Sequence, residues 1–311
     1  MTAAVAKHQP ALQDQILALK KERQAVILAH NYQIGEVQDV ADFVGDSLGL
    51  SQKAAQVDAK IIVFCGVHFM AETASILCPD KTVLLPDREA GCSLSDMITV
   101  PALREWKAEH PGAVVVAYVN TSAAVKAESD YCCTSSNAVK VVESIPKDKE
   151  ILFVPDMYLG SFVREKTGRP IHLWPGYCGV HSQIPTDRIS QMKKEHPQAE
   201  MLIHPECGCL TPQLIHVDQI LSTEGIVRRP AVSKATEFIV ATETGILHRL
   251  QKTYPDKHFI PVMGDAVCGY MKHITLEKVL WSLEDLVYEI KVPADVAAKA
   301  RTAIDRMMAI A

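Results

Sequence analysis

The chain has 311 residues, and 32 Lys+Arg against 37 Asp+Glu leave a net charge of −5. An apolar share of 48% with 22% charged residues excludes general disorder, and mild acidity without a basic run argues against nucleic-acid binding through phosphate neutralisation. The apolar runs fall far short of the roughly 20 residues of a membrane span, and Lys7, His8, Gln9 and Pro10 break up residues 1–15, so neither a membrane protein nor a secreted one is expected.

A cytoplasmic location follows as the expectation, and in that compartment nine cysteines read as reduced thiols or metal ligands rather than a disulfide framework. Length alone, at about 150 residues per domain, suggests two domains. The pattern along the chain suggests something else. Leu12, Ile16 and Leu19 form the apolar stripe of an N-terminal helix. An apolar run at 26–30 (VILAH) ends in a histidine, and Asp42 follows, five residues before Ser47. A second run at 61–67, a helix-like stretch at 70–77 and a third run at 82–85 come next, then Cys92.

The same order recurs twice. Runs at 114–120 (VVVAYVN), 151–154 and 171–174 surround Asp130, Ser135 and a helical stretch at 158–166, and end at Cys178. Runs at 201–204 (MLIH), 238–240 and 259–262 surround Asp218, Thr223 and a helical stretch at 244–252, and end at Cys268. The aspartates stand 88 residues apart both times, and the cysteines 86 and 90. Short β-branched runs alternating with helical segments read as βαβ units with parallel strands. The expected fold is therefore α/β: three repeated α/β units with short parallel sheets around a pseudo-threefold axis, enclosing a central cavity. The boundaries read as 1–100, 101–187 and 188–272, followed by C-terminal helices over 273–311, around 276–288 and after Pro293.

In parallel sheets ligands collect beyond the carboxyl ends of the strands. His30, Asn120, His204, Ser47, Ser135, Thr223 and the three repeat cysteines all fall there. Three thiolates at equivalent places suit an iron–sulfur cluster or zinc, and three ligands on a four-iron cluster leave one iron open as a Lewis acid. Of the other cysteines, Cys65 and Cys78 read as packing, and Cys132 and Cys133 point to opposite faces of a strand. Cys207 and Cys209 near His204 and Glu206 leave a metal pair open. His30 and Tyr32 offer an imidazole with a phenol, and His204 and Glu206 an imidazole with a carboxylate, both workable acid/base sets. Ser47 and Ser135 read either as anion-binding helix starts or as simple caps.

The segments AHNYQ (29–33), GDS (45–47), CGVHFMAET (65–73), YVNTSA (118–123), CTSSNAV (133–139), GYCGVH (176–181), HPEC (204–207), STEG (222–225), ATETG (241–245) and MKHITLEK (271–278) together resemble the quinolinate synthase family of de novo NAD biosynthesis. The resemblance implies a [4Fe–4S] cluster on Cys92, Cys178 and Cys268. It implies condensation of iminoaspartate with dihydroxyacetone phosphate to quinolinate, phosphate and water, a transferase-class reaction. By motif position, substrate would meet His30, Ser47, Tyr118, Val119, Asn120, Ser135, His204, Pro205, Glu206 and Thr223. Tyr32, Glu206, His30 and His204 would carry catalysis, with His181 nearby. An aspartate oxidase or aspartate dehydrogenase would supply iminoaspartate. The chain departs from some members in lacking a C-x-x-C-x-x-C run at Cys268, and in carrying CGCLTP after HPE. Two other readings stand beside this one: a zinc lyase or hydrolase using His204, Glu206 and Cys207, and an electron-transfer iron–sulfur protein.

Overall fold

The computed structural model describes residues 9–210 and 217–310. Part of the leader reading, at residues 1–8, and Thr211 and Pro212 of the CGCLTP run lie outside them. The described residues contain three four-stranded sheets, all parallel, with strand orders β2-β1-β3-β4, β6-β5-β7-β8 and β10-β9-β11-β12. The first comprises β1 (Ala25–His30), β2 (Phe43–Gly45), β3 (Ile61–Cys65) and β4 (Thr82–Leu84). The second comprises β5 (Val114–Tyr118), β6 (Tyr131–Cys133), β7 (Ile151–Val154) and β8 (His172–Leu173). The third comprises β9 (Glu200–Ile203), β10 (Gln219–Ile220), β11 (Glu237–Ala241) and β12 (His258–Pro261).

The central strands are buried along nearly their whole length, as expected of a parallel sheet covered on both faces. The apolar runs mark nine of the twelve strands. The missing β2, β6 and β10 are two or three residues long, too short for a periodic signal. Each is located instead by the repeat aspartate just before it. Asp42 accepts from the Ile27 N–H, Asp130 from Val115 and Asp218 from Met201, each with its Oδ2 at 2.8 Å. A charge-assisted bond of this kind contributes about 1.5–3 kcal/mol and pins the short strand beside its neighbour.

A second repeated clamp emerges from the structure. Lys81, Arg169 and Lys257, again 88 residues apart, each stand just ahead of the last strand of their sheet. Lys81 Nζ donates to the carbonyl of Ala54, in the last turn of the helix Ser47–Gln56, and to that of Val57 just past it. Arg169 reaches the carbonyls of Ile145, Pro146 and Lys149, past Ala138–Ser144. Lys257 reaches that of Pro230, in the last turn of Thr223–Val232, and those of Ser233 and Ala235 past it. Each cation satisfies carbonyls that a helix end leaves without partners and complements its dipole.

The chain forms two compact units: one runs to Cys92 and includes Gly269–Pro293, the other comprises Ser93–Cys268 and the chain from Ala294 onward. In the first, the helix Gln9–Glu22 lays the buried Ile16 inward and packs with Leu276–Asp285. In the second, the helix Ala294–Ala309 covers β6 and the helix Ala123–Lys126, burying Ala300, Ala303, Ile304 and Met307. No helix among the described residues is long and apolar enough to cross a membrane.

Candidate active site

The candidate site residues lie at the carboxyl ends of the strands and in the loops and helix starts that follow. Strand register makes His30, Tyr118 and His204 equivalent: His30 pairs with Gly45, Tyr118 with Cys133, and His204 directly follows the Ile203–Ile220 pair. The three apolar runs end in His30, Asn120 and His204, an alignment that the register corrects. Asn120 aligns instead with Tyr32 and Glu206, two residues further on.

The histidines are held alike. The Tyr32 N–H donates to His30 Nδ1 at 3.2 Å, and the Glu206 N–H to His204 Nδ1 at 3.4 Å. An accepting Nδ1 puts the neutral ring's proton on Nε2. His204 Nε2 meets the Ser135 hydroxyl at 3.2 Å. Burial drives the His204 imidazole down to about 3, although Glu206 opposes this, so the ring is neutral at ordinary pH. In the first compact unit the His30 and Tyr32 rings stack edge to face at 4.7 Å, and Lys272 Nζ donates to the Tyr32 carbonyl.

In the second unit His181 is the hub. Its Nδ1 lies 2.8 Å from Glu206 Oε2 and 3.1 Å from Cys178 Sγ, and its Nε2 shares a hydrogen bond with the Thr242 hydroxyl at 2.8 Å. Burial alone would lower the His181 imidazole, but Cys178 and Glu206 outweigh it and hold the ring protonated. Burial alone would raise the Glu206 carboxyl; the His181 charge and hydrogen bond, with smaller help from His204 and the Tyr118 hydroxyl, hold it ionised. His181 and Glu206 thus form a buried ion pair, each at most 3% exposed, whose separation would leave an uncompensated charge. Glu206 Oε1 and Asn120 Oδ1 are buried with no hydrogen-bond partner among the described residues. Two such acceptors suit a ligand that donates N–H or O–H.

Ser47 and Thr223 are not the caps of their helices. Asp46 caps the first, accepting from the Gly49 N–H at 2.8 Å, and Ser222 the second, accepting from Gly225 at 3.2 Å. Ser47 and Thr223 stand one residue inside, in the first turns, where helix N–H groups favour anions. Val119 and Pro205 are buried beside their neighbours in the strand-end loops.

The nine cysteines sort by environment. Cys65, Cys78, Cys132 and Cys133 are buried free thiols, and Cys78 Sγ donates to the Ala54 carbonyl at 3.2 Å. Burial pushes Cys65 and Cys133 far up and Cys132 to about 12, which keeps them from becoming the thiolates that metals need. Cys207 and Cys209 form a disulfide, contrary to the expectation of reduced thiols, and the zinc reading loses its Cys207 ligand. The turn between them lets the Gly208 N–H donate to the His181 carbonyl at 3.1 Å, so the run supports His181. Only glycine fits there, since a Cβ would stand 2.8 Å from the Ser182 carbonyl oxygen.

The three remaining free cysteines, Cys92, Cys178 and Cys268, are partly exposed. They also share a backbone setting. The N–H groups of His68, Met157 and Thr244 donate to the carbonyls of Ala90, Gly176 and Ala266 at 2.8, 2.8 and 3.0 Å. Each of those carbonyls lies two residues before its repeat cysteine. Soft, ionisable donors in three matching loops fit an iron–sulfur cluster with three protein ligands. Cys178 Sγ also belongs to a tighter group, with donor atoms of His181 and Glu206 all within 4.8 Å of one another.

Sequence reasoning missed Asp156, Thr242 and Glu243, all at most 2% exposed. Asp156 faces Glu206 and His181, and burial together with the Glu206 charge pushes its carboxyl far up. Asp156 and Glu243 each lie two residues past a strand, beyond β7 and β11, so aligning strand ends across the repeat would have found them.

A family model described as quinolinate synthetase A protein matches residues 14–309. The chain is 56% identical over 306 residues to a quinolinate synthase of Thermus thermophilus, covering 96% of this chain and 97% of that one. It is 53% identical over 306 residues to the quinolinate synthase of Pyrobaculum aerophilum, covering 96% and 100%. With the quinolinate synthase of a Mycobacterium species it shares 52% over 306 residues, covering 95% and 91%. The chain belongs to the quinolinate synthetase A family.

Proposed function

We propose that the chain is a quinolinate synthase of NAD biosynthesis, joining iminoaspartate to dihydroxyacetone phosphate to give quinolinate, phosphate and two waters. The observation that carries this reading is the set of three partly exposed thiols, Cys92, Cys178 and Cys268, in three matching backbone loops. These residues would hold one [4Fe–4S] cluster. When bound, the cluster supplies an iron without a protein ligand, a Lewis acid toward a substrate oxygen.

The protein's own groups meet the remaining needs of the reaction. Each lost hydroxyl needs a proton and each C–H or N–H loss needs a base. Glu206, held ionised with Oε1 open, acts as base, and protonated His181 beside it acts as acid. His204 presents its Nε2 proton through the Ser135 hydroxyl to a substrate oxygen. Asn120 Oδ1 takes a substrate N–H or O–H. Thr223 and Ser47, in the first turns of their helices where the dipole favours anions, bind phosphate and carboxylates despite the acidic net charge. His30, Tyr32, Tyr118, Val119 and Pro205 complete the substrate contacts, with Tyr32 sharing proton transfer. The arrangement of the three repeats around one axis belongs to the same proposal, as does a cytoplasmic location, with an aspartate oxidase or aspartate dehydrogenase upstream.

The direct test is oxygen-free incubation with oxaloacetate, ammonia and dihydroxyacetone phosphate, assayed for quinolinate. Quinolinate that requires all three components supports the reading. Its absence from iron-loaded protein contradicts it and favours a cluster that only passes electrons. A single zinc on Cys178, His181 and Glu206 is the second reading, resting on the convergence of their donor atoms. One zinc per chain without sulfide would establish it.

A further inference from the structure

The residue that precedes each repeated N–H donor occupies one place in all three repeats: Val67 beyond β3, Asp156 beyond β7 and Glu243 beyond β11. The backbone pairing beside it brings the cysteine loop back across that strand end. In the third repeat the carboxylate reaches the cysteine itself. The Cys268 N–H donates to Glu243 Oε1 at 3.0 Å, while Oε2 accepts from the Gly245 N–H at 2.7 Å. Glu243 is 1% exposed, so this is an interior bond sheltered from water. In the second repeat Asp156 Oδ1 caps the helix Met157–Thr167 through the Leu159 N–H at 2.7 Å. The Cys178 N–H faces the same carboxyl, and Oδ2 is buried without a hydrogen-bond partner among the described residues.

We propose that Glu243 and Asp156 are positioning residues that fix the peptides of Cys268 and Cys178, and so the directions of two of the three cluster thiolates. The first repeat does without this device, carrying Val67 there. The proposal rests on the cluster reading above. Its chemistry is that of an outer shell: groups bonded to a ligand's own peptide set its orientation, and a buried carboxylate beside a cluster disfavours the added electron of reduction. Glu243 has the formed bond and therefore the larger part.

The test compares wild type with Glu243→Ala, Glu243→Gln, Asp156→Ala and Asp156→Asn, all prepared without oxygen. The amide forms retain an acceptor oxygen, and Glu243→Gln also removes a charge. In metal-free protein, amide exchange in the peptide holding Cys268 speeds up about tenfold or more in Glu243→Ala, and stays near wild type in Glu243→Gln and Asp156→Ala. In cluster-loaded protein, Glu243→Ala loses iron to a chelator about tenfold faster, and Asp156→Ala by a smaller factor. Glu243→Gln keeps its iron but shows a raised reduction potential. Alanine variants with wild-type exchange, chelator resistance and potential would overturn the proposal. So would loss in Glu243→Ala that Glu243→Gln fails to rescue while the metal-free melting point falls, since that pattern marks a purely structural role. Wild-type protein that takes up no iron or sulfide overturns the cluster reading, and the purpose assigned to Glu243 with it, whatever the exchange shows.

Discussion

At the amino ends of the strands, Asp42, Asp130 and Asp218 make one hydrogen bond three times, and Lys81, Arg169 and Lys257 close one helix end three times. At the carboxyl ends the same register positions hold His30, Tyr118 and His204, then Tyr32, Asn120 and Glu206. The first set answers a demand that every repeat shares, to hold a short strand and satisfy a helix end. The second set is varied, imidazole and phenol and then phenol, amide and carboxylate, the variety that the proposed pair of dissimilar substrates would call for. The cysteines are the exception, alike at the carboxyl ends, as the proposed cluster would require.

The comparison breaks most visibly at the cysteines. Replacing Cys92, Cys178 or Cys268 by Ser lowers quinolinate formation more than about a hundredfold, whereas Cys78→Ser retains activity; the assay is turnover in oxygen-free protein. Glu206→Gln, which removes the base but keeps the shape, lowers kcat about a hundredfold with iron content unchanged. Stability against pH gives a smaller effect. The His204 imidazole sits near 3 when folded, against an ordinary value near 6.5, so between those limits the unfolded chain binds the extra proton. His204 therefore costs stability as pH falls below about 6.5, at up to about 1.4 kcal/mol per pH unit. His204→Gln flattens the acid side of the metal-free protein's melting curve. His181, raised rather than lowered, acts in the opposite sense and above 6.5. The smallest effect belongs to the amino ends: Lys257→Met lowers stability by about 1 kcal/mol, read as a lower Tm, and leaves kcat unchanged.

Much of this was legible beforehand. Buried parallel strands are continuous apolar runs, so nine strands were visible, and polar residues after them located the carboxyl ends. The repeat aspartates were visible too, although their job is structural. What escaped depended on contacts distant in sequence. Lys81, Arg169 and Lys257 look like surface cations until the helix ends they cover are in place. Asp156 and Glu243 look like ordinary helix starts until the cysteine loops return over them. Asn120 was set against the wrong partners because the second apolar run continues through Val119 and Asn120, two residues past the end of its strand, although the 88-residue spacing of the aspartates already pairs Asn120 with Tyr32. The Cys207–Cys209 disulfide had no signal beyond spacing.

The central claim is that three matching thiols hold one cluster. Iron and acid-labile sulfide counted per chain, in oxygen-free wild type beside the three Ser variants, test it most directly. About four of each in wild type, with the loss of both in Cys92→Ser, Cys178→Ser and Cys268→Ser, is the predicted result. Colourless protein that makes quinolinate at full rate without iron or sulfide would contradict it.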